Sequence, residues 1–323
     1  VEVGEPLSYR TVTVFPLTLR GGENANVATL DQALAQKWLT IQEKETPSVP
    51  SLQIRNTGQR PVFLMTGEIL LGGKQNRIVK EDVLLPAESG LVDVPVYCGE
   101  QHRWEDGKQA FRAAGSMAGG AVRGLAVRAA PQIEVWESID AQLGAAKVEA
   151  PTRSYQAIYD DREATRVSSE AVERLRPRPL RETVGLVVFS RGGVVSADLF
   201  SDPELLAQLW NKIVQSHAVD EFIVRRPSEE KWEPPSRERV RAFLAQAAAA
   251  EMVSQSTPGS GEGLRVSGRV EGRALLWRSS VLHAALFPAG IPVIYPTPVP
   301  RPRPGPIPRP PIMPGPPMPM PME

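Results

Sequence analysis

The sequence predicts an α+β fold with a mainly antiparallel β core, sandwich or barrel-like, flanking helices and a disordered proline-rich C-terminal tail. Three observations carry this prediction. Short apolar runs broken by turn residues fill Ser51 to Val96, at the pace of an antiparallel sandwich or barrel. Segments of helical period, several with their own caps, lie largely outside that stretch. From Ile291 onward 15 of 33 residues are proline, which lacks the amide donor a hydrogen-bonded core needs.

Taken in order, Val12 to Leu19 alternates apolar and polar residues and reads as a half-buried strand, with Pro16 marking a bulge or an edge. Thr29 opens a helix whose capping box closes at Gln32, with Leu30, Ala33, Leu34 and Trp38 on one face. Leu39–Ile41 returns to strand. Leu52 and Ile54 alternate, Asn56–Gly58 turns, and strands follow at Val62–Met65, Val83–Leu85 and Leu91–Tyr97. Gly72 and Gly73 allow positive φ or close backbone approach. Gly107 to Gly124, rich in Ala, Gly and Arg, reads as a mobile loop or a loosely held helix.

Pro131 starts a helix presenting Gln132, Trp136, Ile139 and Leu143 on a shared face. Tyr155 to Asp161 is ambiguous, and Ser168 to Leu175 is helical up to the Arg-Pro repeat. Thr183–Phe189, the turn Ser190–Gly193 and Val194–Val195 form a hairpin. Ser201 caps the next helix, with Glu204 closing a capping box and Leu205, Leu206, Leu209, Trp210 and Ile213 as its buried stripe. Ser236 starts a last helix, Ser254–Gly263 is a flexible link, and Leu264–Phe287 is β. Residues 1–287 are expected to form one α+β unit and 288–323 the tail.

Bulk properties narrow the function classes. A chain of 323 residues buries a good core without staples. Net charge of zero favours no polyanionic partner, and no basic stripe interleaves with aromatics, so nucleic-acid binding is not expected. One cysteine excludes an intrachain disulfide and a cysteine-based zinc site. No run approaches the roughly 18 apolar residues of a membrane helix. The sequence starts at Val1 with no initiator Met, so either a leader was removed or the sequence is trimmed, and the single cysteine is compatible with a cytoplasmic chain or an exported one.

The chemistry concentrates between Thr66 and Trp104. Gly72-Gly-Lys-Gln-Asn-Arg77 reads as an anion-binding turn, where backbone amides face phosphate oxygens and Lys74 and Arg77 add charge, or as a plain hairpin turn with solvated side chains. It lacks the Gly-Lys-Ser/Thr ending of a nucleotide P-loop. Glu68 and Glu100 can divide general acid and base roles, or pair with Arg77 and Arg103. Cys98 is a nucleophile with His102 as base, or a small core residue at a strand end. Asp198, between a hairpin and a helix, points into a site or stabilises the turn. His283 reads as a satisfied core histidine and His217 as a residue at a helix end. A mixed His102, Glu100 and Asp198 metal site is left open but obeys no spacing rule, so no metal is assigned, and the cofactor is unknown from the sequence. Four of seven methionines lie in the tail, where proline tracts serve as spacers or docking segments, making a protein partner there the natural expectation.

Five stretches together resemble one family, the ADP-ribosylglycohydrolase- and rhodanese-phosphatase-associated protein domain, found mostly in prokaryotes. They are T-V-F-P-L at Thr13–Leu17, G-E-I-L-L-G-G-K-Q-N-R at Gly67–Arg77, V-Y-C-G-E-Q-H-R-W at Val96–Trp104, Q-I-E-V-W at Gln132–Trp136 and G-G-V-V-S-A-D-L-F at Gly192–Phe200. Gly99 departs from the larger apolar residue the pattern expects. The resemblance implies association, through neighbouring genes, with enzymes that handle ADP-ribose and NAD-derived nucleotides. Its motif residues fall on Glu68, Gln75, Arg77, Glu100, Arg103, Trp104, Gln132, Trp136 and Asp198.

The two readings combine into one expectation and one rival. The expectation is a site for a phosphorylated ADP-ribose or NAD-derived nucleotide. Lys74 and Arg77 hold phosphates, Gln75, Arg103 and Gln132 add polar contacts, Trp104 or Trp136 stacks on a base, and Glu68, Glu100 or Asp198 does acid–base work. The rival is a non-catalytic interaction module, exported or not. In it Glu68, Arg77, Glu100 and Arg103 form a structural ion-pair network, and the tail docks a partner.

Overall fold

The computed structural model describes residues 1–44, 51–103, 109–224 and 232–290. Trp104 and the proline tail from residue 291 lie outside the described residues. The expected α+β class holds: three sheets, almost wholly antiparallel, with helices against them. The largest sheet runs Glu2–Val3, Val12–Thr18, Thr183–Ser190, Gly193–Leu199, Ser280–Pro288, Val270–Trp277, Glu262–Ser267 and Glu251–Gln255, and Leu7–Tyr9 also pairs with Val12–Thr18. A second sheet orders Arg112–Met117, Glu68–Leu71, Arg77–Val79, Val92–Cys98, Ser51–Asn56 and Leu39–Glu43. A third joins Val83–Leu85, Val62–Leu64 and Ala28–Thr29, the last pair being parallel.

Val12–Thr18 is buried on both faces rather than one. Val14 packs into the main core with the helix Pro203–Ile223, and Phe15 and Leu17 pack under the helix Arg237–Ala248. A strand covered on both sides carries apolar residues at consecutive positions, so its sequence pattern underestimates its burial. Pro16 sits inside the sheet, where its carbonyl accepts from Gly4 N at 2.8 Å.

The capping box at Thr29 and Gln32 is present in full. At the long helix the cap is Asp202 rather than Ser201: its carboxylate accepts from the Glu204 and Leu205 amides, and Pro203 takes the first helical position. Pro at that position fixes φ and needs no amide partner, so it sets the boundary one residue later. One stretch read as loose is largely regular: Arg112–Met117 is a strand followed by the helix Gly120–Val127. The link expected at Ser254–Gly263 is shorter: its two ends belong to the strands Glu251–Gln255 and Glu262–Ser267, and residues 256–261 connect them. Arg123 of the helix Gly120–Val127 is fully buried, and Gly67 leaves room for its side chain, since a Cβ there would stand 2.8 Å from Arg123 Cγ. The helix Gln132–Ala146 buries Val135, Ile139, Gln142 and Leu143, leaving Gln132 and Trp136 half-buried at its flank.

Candidate functional site

The Gly-Gly turn has the backbone its glycines require. Gly73 lies at φ +55°, and a Cβ there would stand 2.3 Å from the Phe111 ring. Gly72 lies at φ +127°, and a Cβ there would meet the Ala110 carbonyl at 2.6 Å. Asn76 closes the turn by accepting from Gly72 N at 3.2 Å. Three further amides of the turn also face protein acceptors. Gly73 N donates to Gln109 O at 2.9 Å, Lys74 N to Glu43 Oε1 at 3.2 Å and Asn76 N to Glu100 Oε2 at 3.3 Å.

Around this turn the chain brings together residues from five separate segments. Arg77 donates to Glu43 Oε1 at 2.8 Å and to Cys98 Sγ at 2.7 Å. Arg103 pairs with Glu100 at 2.8 Å and donates to Gly73 O, Gly72 O and Asn76 Oδ1 at 3.1, 3.3 and 3.1 Å. Gln75 Nε2 donates to Gln101 O at 3.4 Å. Gln132 clamps the Cys98 backbone, accepting from its amide at 2.8 Å and donating to its carbonyl at 3.2 Å. Trp136 follows Gln132 by four residues and so lies on the same side of the helix. Arg77 Nε and Trp136 Nε1 are two of nine buried side-chain atoms without a hydrogen-bond partner among the described residues; Arg123 Nε, Trp210 Nε1 and Trp277 Nε1, away from this turn, are the other N–H donors. Burial pushes the Cys98 thiol up, so despite Arg77 it stays protonated at neutral pH.

Glu68 and Asp198 stand apart from this network. Glu68 is fully buried and meets Lys212 at 2.5 Å, and Lys212 also meets Asp31 at 2.7 Å. Met65 N donates to the other Glu68 oxygen at 2.8 Å. Burial pushes the Glu68 carboxyl up. Burial would lower Lys212, but Glu68 and Asp31 outweigh it and hold the ammonium charged.

Asp198 belongs to a chain of buried polar groups. Thr66 N and Oγ1 both donate to Asp82 Oδ1 at 2.8 Å, and Asp82 Oδ2 meets His283 Nδ1 at 2.5 Å. His283 Nε2 meets Asp198 Oδ1 at 3.1 Å, and Asp198 forms a two-pronged pair with Arg123. Arg123, Asp198 and His283 are each 0% exposed. Burial alone would lower the His283 pKa; Asp82 and Asp198 outweigh it and raise it to about 9. With the imidazole protonated, two carboxylates face two cations, and both carboxyls sit below their usual range despite burial. His217 lies alongside, bonded to Ser196 at 3.1 Å, and burial pushes it down to about 4.

Thus Gln75, Arg77, Glu100, Arg103 and Gln132 meet in one network around the turn, with Lys74 in the turn itself and Trp136 one helical turn from Gln132, while Glu68 and Asp198 occupy two other buried centres. Four participants escaped sequence reasoning. Lys212 could have been found, because it continues the Leu205–Leu209 stripe at helical spacing. Glu43, Asp82 and Arg123 carry no such signal. No group of three or more His, Cys, Asp or Glu side chains able to hold a metal occurs among the described residues. No described helix is long and apolar enough to cross a membrane.

Neither the curated proteins nor the solved structures contain a match to this chain. A family profile does match, over residues 1–287, which takes in every motif and every centre described above. That profile describes the ARG and Rhodanese-Phosphatase-superfamily-associated Protein domain, ARPP-1, and its name ties the family to ADP-ribosylglycohydrolases and rhodanese-phosphatases. Covering well over half of the sequence, the match makes this chain a member of the ARPP-1 family.

Proposed function

We propose that this protein binds a phosphorylated ADP-ribose- or NAD-derived nucleotide beside the Gly72–Arg77 turn, with residues 1–287 as the working unit. The observation that carries the reading is the network that joins Gln75, Arg77, Glu100, Arg103 and Gln132 around the turn and leaves a buried donor, Arg77 Nε, without a partner, with a second such donor, Trp136 Nε1, one helical turn from Gln132. Buried N–H groups are rarely left unpaired, and an acceptor-rich ligand such as a phosphate would satisfy them. The family's association with ADP-ribose enzymes supplies the ligand class. Lys74 and Arg77 serve the phosphates and Trp136 the base edge. Of the three carboxylates nominated for acid–base work, Glu100 alone belongs to this network. Binding is therefore the better-supported part of the reading, and Glu100 the carboxylate to test for any turnover.

The test is a thermal-shift series on the full chain with ADP-ribose, its phosphorylated form, NAD and simple nucleotides. A ligand at 100 times its Kd stabilises by about 2.7 kcal/mol. Trp136→Phe removes the N–H and keeps the ring, and Lys74→Ala removes a charge. Both should weaken the shift while leaving the unliganded Tm within a few degrees. A flat series, or a shift unchanged in both variants, refutes the site.

One observation favours the rival, an interaction module. Arg77 and Arg103 already pair with Glu43 and Glu100, and the amides of Gly72, Gly73, Lys74 and Asn76 are taken by protein acceptors. On that reading Arg103→Ala lowers stability and no nucleotide shifts the Tm, and the Pro-rich segment 291–323 carries the docking function.

A further inference from the structure

The strand Glu251–Gln255 ends the largest sheet, and its outer edge has no strand partner among the described residues. Its pairing with Glu262–Ser267 is regular: Met252 faces Val266, and Val253 faces Arg265. Val266 is buried beneath Val240, Phe243 and Ala247, so Met252 lies on the helix-covered face and Val253 on the opposite one. The helix Arg237–Ala248 packs over Phe15, Leu17, Phe189 and Val270, the middle of the sheet, and stops short of the edge. Met252 therefore remains 52% exposed and Val253 47%, one on each face.

Soluble proteins guard such edges with lysine, proline, a bulge or a covering segment. The strand E-M-V-S-Q has no lysine, no proline and no shift of register. A partner lying on one face would cover one of the two apolar side chains. A strand added at the edge covers both, because its own side chains alternate across the same two faces.

Two occupants fit this geometry on length alone: the chain's own C-terminal segment and a second copy. The C-terminal segment is excluded by chemistry. From residue 291 its longest run without proline is Val293–Tyr295, and each proline removes a ladder donor. The second copy fits. Laid antiparallel about Val253, the strand sets Val253 against the partner's Val253 and Glu251 against the partner's Gln255. Met252 falls opposite the partner's Ser254 and diagonal to the partner's Met252, within contact distance for a long side chain. Glu251, the strand's one charge, meets an amide, and no like charges oppose each other.

We propose that this edge is a two-fold interface at which two copies join their largest sheets into one. A ladder of five residues is small, so the dimer forms reversibly and its population follows protein concentration. The inference is independent of the nucleotide reading and survives its failure.

The test is light scattering and sedimentation of the full chain across a hundredfold concentration range. The apparent mass should rise toward twice the 35.2 kDa of the chain. At the two-fold axis residue 253 faces itself, so Val253→Lys alone and Val253→Glu alone should each stay monomeric at concentrations where the wild type dimerises. Their equimolar mixture should recover the doubled mass. A wild type that stays monomeric throughout overturns the proposal. So does dimerisation undiminished in Val253→Lys, which puts the interface elsewhere, or a mixture that fails to recover.

Discussion

Raising the pH from 6.5 to 9 should weaken this protein through one residue, His283. In the folded chain its pKa lies at about 9 against an ordinary 6.5, held there by Asp82 and Asp198 on its two ring nitrogens. The folded state therefore binds the proton more tightly than the unfolded state. That extra stability is complete below about pH 6.5 and is lost as pH climbs through the folded value. Moving a pKa from 6.5 to about 9 corresponds to roughly 3 kcal/mol, at about 1.4 kcal/mol per pH unit. The groups facing the ring are Asp82, Asp198 and, through Asp198, Arg123, and both carboxyls are held ionised well below this window. His217, pushed down to about 4, acts outside it. The Cys98 thiol, raised by burial from 9.0, adds its own loss only above about pH 9. The assay is urea unfolding at closely spaced pH values. Wild type should lose most of the 3 kcal/mol between pH 6.5 and 9, and His283→Gln should be less stable at pH 6.5 but nearly flat across the window. Equal slopes in the two proteins would refute the reasoning.

Three further outcomes follow from the same packing. Lys212→Met strands the buried Glu68 carboxyl and should cost about 3–5 kcal/mol by denaturant unfolding; adding Glu68→Met should recover much of it, because an apolar pair needs no desolvation. Asp202→Ala should cost about 1 kcal/mol through the lost helix cap, whereas Ser201→Ala should change stability by a few tenths at most. Gly73→Ala combines φ +55° with a Cβ 2.3 Å from the Phe111 ring and should cost over ~1 kcal/mol, measurable as a lowered Tm.

What was legible in the sequence is what depends on neighbours along the chain. Capping at Thr29 and Ser236, the stripe Leu205–Ile213, the turn at Asn56–Gly58 and the positive φ at Gly72 and Gly73 all follow from residue spacing and backbone sterics. Where local signals compete, boundaries slip. Ser201 and Asp202 are both good caps, and Pro203 decided between them. Gly107–Gly124 looked loose because its residues are small, a property that also suits close packing: a Cβ at Gly119 would stand 2.0 Å from Asp220 Oδ1.

The sequence by itself determined the fold class, most of the elements and the neighbourhood of the polar motif, because periodicity, caps and turn chemistry act over a few residues. The tertiary structure alone decided which charges meet. Glu68 and Asp198 resemble Glu100 as candidates along the chain. In space the first is taken by Lys212, 144 positions away, and the second by Arg123 and His283, 75 and 85 away. A carboxylate's chemistry is set by its partners and its distance from water, and neither is written in the residues beside it.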